Sequence, residues 1–230
     1  DQIVYTDSCM TKILRTFTIG EWRCSDINER YFNQMIDIMD VEGPTMDQLP
    51  DITVSTEPFS CEANVLLPAI SPDDDCNKAD IVIDIEYEVG SRIENVIGDV
   101  IVEMPLGIYT VTYIATDKCG NESRMSFTVT VIDAVAPTAI CDADQISVGY
   151  DPSFFTAVAL DNGSFDDCGP VTLAIARTDD PGYPDLGIFT DELEFGCTDI
   201  GNTYEVALLV TDTANNTSIC TSNLMIEDGI

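Results

Sequence analysis

With 42 acidic residues, 9 basic ones and no histidine, this 230-residue chain carries a net charge of −33. That balance excludes a surface built to neutralise nucleic-acid phosphates or anionic lipid. An apolar content of 45% excludes wholesale disorder, and no run approaches the ~18 apolar residues of a membrane span. The N-terminus lacks the basic head and apolar run of a signal peptide.

Taken in chain order, alternation of period two marks the strands. It runs over Leu14–Ile19, then Asp51–Ser55, Ala63–Leu67 and Ile81–Tyr87. In Ile108–Ala115, Tyr109, Val111 and Tyr113 share one face, and Thr110 and Thr112 the other. Phe127, Val129 and Val131 alternate with Thr128 and Thr130, and Val171–Ala176 and Tyr204–Val210 follow. No long amphipathic helical stretch interrupts them. Short strands separated by turn residues predict an all-β chain of sandwich domains.

The chain also repeats itself. FNQMIDIMDVEGP (Phe32–Pro44), MSFTVTVIDAVAP (Met125–Pro137) and TSNLMIED (Thr221–Asp228) are versions of one segment. Asp40 to Asp133 is 93 residues, Asp133 to Asp228 is 95, and Pro44 to Pro137 is again 93. A period of this length is that of one small domain. The expected division is Asp1–Pro44, matching only the C-terminal half of a repeat, then Thr45–Pro137 and Thr138–Ile230, with net charges of −4, −13 and −16. An excised stretch of a longer polypeptide explains the half repeat; strands donated by a neighbouring chain are the other explanation. The turns recur too: ATDKCGNES (Ala115–Ser123) matches VTDTANNTS (Val210–Ser218), and DDDCNK (Asp73–Lys78) matches FDDCGP (Phe165–Pro170).

The pattern T-x-T-x-T-D-x-C-G-N…F-T-V-T-V-x-D…A-P, preceded by an Asp-Asp-Cys turn, resembles the HYR-type and related immunoglobulin-like repeats. These recur in giant secreted surface proteins of Bacteroidota, including gliding-motility adhesins and other type IX secretion cargo. Repeat two fits the HYR form across Pro50–Pro137. Repeat three resembles a sister form, through DNGSFDDCG (Asp161–Gly169), FGC (Phe195–Cys197) and TSIC (Thr217–Cys220). Repeat one fits loosely, through RTFTIGEWRCSD (Arg15–Asp26). The resemblance implies tandem immunoglobulin-like β-sandwiches on an extracellular bacterial cell surface.

Nine cysteines with no CxxC pair and no histidine favour an oxidising compartment and disulfides over a metal thiolate site. The family pattern implies Cys141–Cys220 and Cys168–Cys197. In repeat two Met125 stands at the place of Cys220 and Leu49 near that of Cys141, as though both ends of one bridge had been replaced together. Cys76 and Cys119 lie in turns that a sandwich brings to one end and are expected to pair. Cys61 is left over, and Cys9 has a partner in the missing half of repeat one or in Cys24.

The acidic turns are the one constellation with ligand chemistry. Asp73, Asp74 and Asp75, with Asp117 and Asn121, and Asp166 and Asp167, with Asp212 and Asn216, offer clustered oxygens suited to calcium. Turn capping on a charged surface is the competing reading, since no D-x-D-x-D-G loop is present. The linkers Asp40–Pro44 and Asp133–Pro137 are a second location for such an ion. Without histidine there is no conventional Ser-His-Asp or Cys-His machinery, and no phosphate-binding glycine loop occurs, so no enzyme is expected. Thr213, in Asp212-Thr213-Ala214, matches a short Bacteroidota O-glycosylation signal. Asn121, Asn162, Asn215 and Asn216 head N-x-[S/T] sequons that turn composition explains. Trp22 is expected in the core, and Tyr183, in the loop Asp179–Gly187, as a partner-facing aromatic.

The expected function is that of a structural or adhesive segment: a stalk, filament or hook of disulfide-stiffened repeats used for surface or cell attachment. Its partners would be adjacent repeats, neighbouring copies of the chain and a surface or cell ligand. Two alternatives are an accessory carbohydrate-binding or spacer module of a secreted hydrolase, and a calcium-dependent adhesion module.

Overall fold

Side-chain alternation sets nearly every element in the computed structural model, which describes residues 1–24, 26–75, 81–88, 91–143, 145–149 and 152–229. The chain is all-β, built as immunoglobulin-like β-sandwiches in tandem. Among the described residues the strands are β1 (Gln2–Thr6), β2 (Met10–Arg23), β3 (Asp26–Met39), β4 (Ile52–Ser55), β5 (Glu62–Leu67), β6 (Val82–Glu88), β7 (Ser91–Ile93) and β8 (Val100–Pro105). They continue with β9 (Gly107–Thr116), β10 (Glu122–Ile132), β11 (Gln145–Val148), β12 (Ser153–Thr156), β13 (Thr172–Arg177), β14 (Glu192–Phe195), β15 (Thr203–Thr211) and β16 (Thr217–Asp228). A single helical turn, α1 (Ala157–Leu160), is capped by Thr156, whose side chain accepts the Ala159 N–H. No helix among the described residues is long and apolar enough to cross a membrane.

By its internal contacts the chain forms two compact units. The first comprises Asp1–Ile52, Val65–Val102 and Ile108–Thr130; the second comprises Thr53–Asn64, Glu103–Gly107 and Val131–Ile230.

The first unit holds the three-stranded sheet β1-β2-β3 and most of the five-stranded sheet β4-β10-β9-β6-β7. On β9 the alternate residues Val111, Tyr113 and Ala115 are buried, as are Met125, Phe127 and Val129 on β10. Val65, Leu67 and Val102, from β5 and β8, are buried in the same unit. Tyr113 keeps its phenol satisfied by donating to the Pro68 carbonyl at 2.8 Å. Burial, with the charge of Asp99, pushes that phenol up to about 12. β2 and β3 are each fourteen residues long and pair in unbroken antiparallel register from Met10↔Met39 to Arg23↔Asp26. Trp22, expected in the core, lies near the tip of this hairpin and is 83% exposed, with no second sheet over its strand among the described residues.

The second unit packs the sheet β11-β16-β15-β13 with the ribbon β12-β14. Its core includes Phe155, Leu160, Ile175, Phe195, Leu208 and Leu224. β11 pairs with β16 in parallel, Gln145 opposite Met225, a pairing that needs a long connection and suits a sandwich whose first strand joins its last. The Arg177 guanidinium stacks 3.8 Å from the Tyr204 ring centroid. The Pro-rich loop folds back on itself: Tyr183 is half-buried against Phe189, their rings 6.3 Å apart.

Candidate functional site

A five-residue turn, D-x-x-x-N, joins the last two strands of each complete repeat. In Asp117–Asn121, Asp117 Oδ1 accepts the N–H groups of Cys119 and Asn121, both at 2.8 Å, and its Oδ2 accepts from Asn121 Nδ2 at 2.9 Å. In Asp212–Asn216, Asp212 Oδ1 accepts the N–H groups of Ala214 and Asn216, and Oδ2 accepts from Asn216 Nδ2, each at 2.8 Å. Both aspartates are only 5% exposed. Burial alone would raise the Asp117 pKa, but the donors from Asn121, Cys119 and Gly120 outweigh it and hold the carboxyl below its usual range. These carboxylates therefore act first as turn caps.

Each of these asparagines also reaches a linker. Asn121 Nδ2 donates to the Asp40 carbonyl at 3.3 Å, and Asn216 Nδ2 to the Asp133 carbonyl at 3.2 Å. Asp40 Oδ1 accepts the Glu42 N–H at 3.3 Å, and Asp133 Oδ1 accepts the Val135 N–H at 3.2 Å. Beyond the linkers, Thr45 bridges to Asp73 and Thr138 to Phe165. The same hardware recurs 92 to 95 residues on.

Disulfides lie against both linkers. Cys9 is bonded to Cys119 within the first unit, and Cys61 to Cys168 within the second. By sequence repeat, each bond joins one repeat to the next. This corrects four expectations. Cys168 is bonded to Cys61, not to Cys197, which is an exposed free thiol like Cys24. Cys119 is bonded to Cys9, not to Cys76, which lies outside the described residues. Cys61 is thus not left over, and Cys9 is bonded neither to Cys24 nor to a cysteine in a missing half repeat. The third bond is Cys141–Cys220, both residues packed on the core of the second unit.

The candidate ion ligands gather at the linkers. Asp40 and Asp117 bring carboxylate oxygens within 4.8 Å of each other, as do Asp133 and Asp166. Cys119 and Cys168 lie in the same groups, but their sulfurs are spent in disulfides. Asp166 Oδ1 also accepts the Cys168 N–H at 2.8 Å, whereas Asp167 is exposed. Asp73, Asp74 and Asp75 line a cleft of about 410 Å³ with Asp7, Asp40 and Glu42, and no basic side chain among the described residues lines it. At both linkers one oxygen is orphaned: Asp40 Oδ2 and Asp133 Oδ2 are buried without a hydrogen-bond partner. Thr213, the glycosylation candidate, is exposed at the β15–β16 turn.

No protein-family model matches the chain. The serine-rich adhesin for platelets of Staphylococcus aureus strain MRSA252 is 37% identical to it over 59 residues, 26% of this chain and 4% of the adhesin. Its counterpart in strain USA300 matches at the same identity over 3% of its length. The chain therefore spans only a few per cent of the length of the curated relatives it matches. Among solved structures it is similar to extracellular cadherin domains 3-6 of protocadherin gamma B2, at 16% identity and a TM-score of 0.45, covering 95% of this chain and 60% of that one. It is likewise similar to Drosophila N-cadherin EC1-4, at 12% identity and a TM-score of 0.42, over 95% and 58% of the two chains.

Proposed function

We propose that this chain is a load-bearing, adhesive segment of a longer extracellular surface protein, made of tandem immunoglobulin-like repeats with locked junctions. The carrying observation is the repeated junction: a linker aspartate held by an asparagine from the following repeat, beside a disulfide that joins successive repeats by sequence. Such bonds form and persist in oxidising surroundings, and a covalent bond beside each linker resists the bending that a hydrogen-bonded linker alone would permit. The short match to a platelet adhesin supports attachment as the role. The resemblance to Bacteroidota surface repeats supports a stalk or filament on a bacterial cell as the form this segment takes. Immunogold electron microscopy of the native source, with an antibody to this segment, tests it. Label along filaments on the cell exterior is expected; label confined to dispersed molecules carrying a catalytic domain would instead make this an accessory module of a secreted hydrolase.

A second reading is favoured by the orphaned oxygens of Asp40 and Asp133. A buried, unpartnered carboxylate oxygen beside a second carboxylate is costly unless a cation or proton compensates it. A divalent ion at Asp40/Asp117 and Asp133/Asp166 would neutralise both pairs and stiffen the linkers, making attachment calcium-dependent. Calorimetric titration with calcium, on the wild type and on Asp40→Asn and Asp133→Asn, decides. Heat of binding lost in the variants, with a melting temperature lowered by chelator, is the expected result; no heat and no chelator effect would rule it out.

A further inference from the structure

We infer that a small pocket in the second unit, walled by Phe59 and Phe165 and flanked by Asp167, takes the lysine side chain of a partner protein, so that this segment recognises a basic loop or strand. The inference rests on the adhesive reading above and names the chemistry of what is held. Phe59 carries it. The Ser60 N–H donates to the Glu57 carbonyl at 3.1 Å, closing a turn over Glu57–Ser60 with Pro58 at its second position. Phe59, at the third, has a φ of 63°, which makes this a type II turn, where glycine or asparagine belongs. A phenylalanine there strains the backbone, and the residue is 76% exposed. The fold gains nothing from an aromatic residue that is strained and uncovered at once; contact with a partner does.

The ring does not stand alone. With Pro58, Val135 and Phe165 it lines a cavity of about 70 Å³ whose wall also includes Asp166 and Asp167, and no basic side chain among the described residues lines it. Phe165 is fixed by a two-way bridge to Thr138, N–H to carbonyl at 2.8 and 3.1 Å, yet is itself 41% exposed. At the matching place one repeat earlier the same bridge, to Thr45, is made by Asp73. The bridge therefore needs no aromatic ring. The Phe59 turn is held by the Glu57 N–H, which donates to the Glu62 carbonyl at 2.9 Å, and by the Cys61–Cys168 bond beside it. Both rings are thus placed before any partner arrives, which lowers the cost of binding.

Size and charge select the occupant. About 70 Å³ is some two waters' worth at ~30 Å³ each, against the ~300 Å³ at which small-molecule pockets begin. Only the tip of one side chain enters. Aromatic faces attract a cation, and a cation beside a carboxylate gains a charge-assisted hydrogen bond as well. Asp166 already accepts the Cys168 N–H, whereas Asp167 is exposed and supplies the counter-charge. At −33 the chain draws a basic partner from a distance and repels an acidic one. Lysine, a compact ammonium on a thin apolar stem, fits this volume better than the broad planar guanidinium of arginine.

NMR titration of the isotope-labelled full chain with acetyl-glycyl-lysyl-glycinamide tests this, against the same peptide carrying norleucine. The buffer holds about 0.15 M salt and a chelator, so that no divalent ion competes at Asp166. Saturable shifts at the Phe59, Val135 and Phe165 amides are expected, with a dissociation constant on the order of 1 mM. Norleucine should bind at least about 5-fold more weakly. Phe59→Asn should weaken the lysine peptide about 3- to 10-fold and leave the melting temperature equal or higher, because asparagine accepts the turn's positive φ. Phe59→Trp, equally strained, should tighten it, tryptophan being the best face for a cation. Asp167→Asn should weaken binding and reduce its salt dependence. Equal binding of norleucine would make the pocket an apolar contact instead. Shifts indifferent to Phe59 would reduce the effect to general charge attraction, and no saturable shift would mean that the pocket takes no such tip. A Phe59→Asn chain that melts several degrees lower would show that the ring serves the fold. Each of these overturns the proposal without touching the adhesive reading, which the microscopy decides.

Discussion

The side-chain amide of Asn121 donates to the main-chain carbonyl of Asp40, 81 residues away, while its other bond closes the turn on Asp117. One side chain thus fixes both the turn and the linker that precedes its repeat. Asn121→Ala removes both bonds and leaves a nearly buried carboxylate short of a donor, which costs about 1–3 kcal/mol. Asn121→Asp should be worse at neutral pH, since it sets a second carboxylate against Asp117, and should recover on acidification. Denaturant melts of the two variants give the ranking, and an Asn121→Asp as stable as wild type would contradict the lock. Asn216, bonded identically to Asp212 and Asp133, should show the same order.

Disulfides that join successive repeats make a distinct prediction in peptide mapping. Non-reducing digestion should release Cys9 linked to Cys119 and Cys61 linked to Cys168, and native alkylation should label Cys24 and Cys197. Replacing Cys119 by Ser should lower stability by about 2–4 kcal/mol, chiefly by freeing the unfolded chain. A Cys168–Cys197 peptide would mean the bonding is confined within repeats after all.

How much of this was legible beforehand depends on whether a feature is periodic. The eight segments read from alternation all fall on strands, since Val111, Tyr113, Phe127 and Val129 face one core at period two. Length does not decide which strands alternation shows: the four-residue β4 was read, while the fourteen-residue β3 and twelve-residue β16 were met only as repeats, and the short β1, β7, β8, β11, β12 and β14 not at all. Trp22 was misplaced because aromatic residues are usually covered, and nothing in the hairpin sequence announces that it lies exposed near the tip. The D-x-x-x-N turn was visible as a motif, but its reach to Asp40 joins residues 81 apart and is written only in three dimensions. Disulfide partners failed for a related reason: the family pattern supplies bonds within a repeat, and bonds between repeats follow only from the geometry of the junction.

Gly43 shows how tight that junction is. A Cβ there would stand 2.7 Å from Ser123 Oγ and 2.9 Å from the main-chain carbon and oxygen of Glu122. Main chain cannot swing aside, so Gly43→Ala should cost about 1–3 kcal/mol by overpacking. The equivalent position one period later is Ala136, so Ala136→Gly should change stability by less than about 1 kcal/mol. Thermal melts of the two variants distinguish a packed linker at Gly43 from a loose one, in which the two changes would be equally mild.

Acid should loosen the fold through a few identifiable carboxylates. Burial would raise the Asp84 pKa, but the hydrogen bond from Arg92, the Asn95 N–H and the Arg92 charge outweigh it and hold the carboxyl below its usual range. Asp117 is lowered in the same way by its turn, and Asp199 by the Gly196 N–H and the Tyr204 hydroxyl. A carboxylate with a lower pKa folded than unfolded contributes stability above the unfolded value, ~3.9 for Asp, and loses it as pH falls through the folded value. Glu62 runs the other way: a hydrogen bond with Glu103 and that residue's charge raise it, so its contribution is full below the unfolded value and is lost as pH rises through the folded one. Asp7, held by the Tyr5 hydroxyl, and Asp179, held by Arg177, are lowered as well, so five groups stand against one, and the melting temperature should hold from neutral pH to about 5 and fall below about 4. Salt of about 0.5 M, with a Debye length near 4 Å, screens the general repulsion and isolates these local terms. Asp84→Asn should flatten the acid limb, and a limb of unchanged slope in that variant would place the acid sensitivity elsewhere.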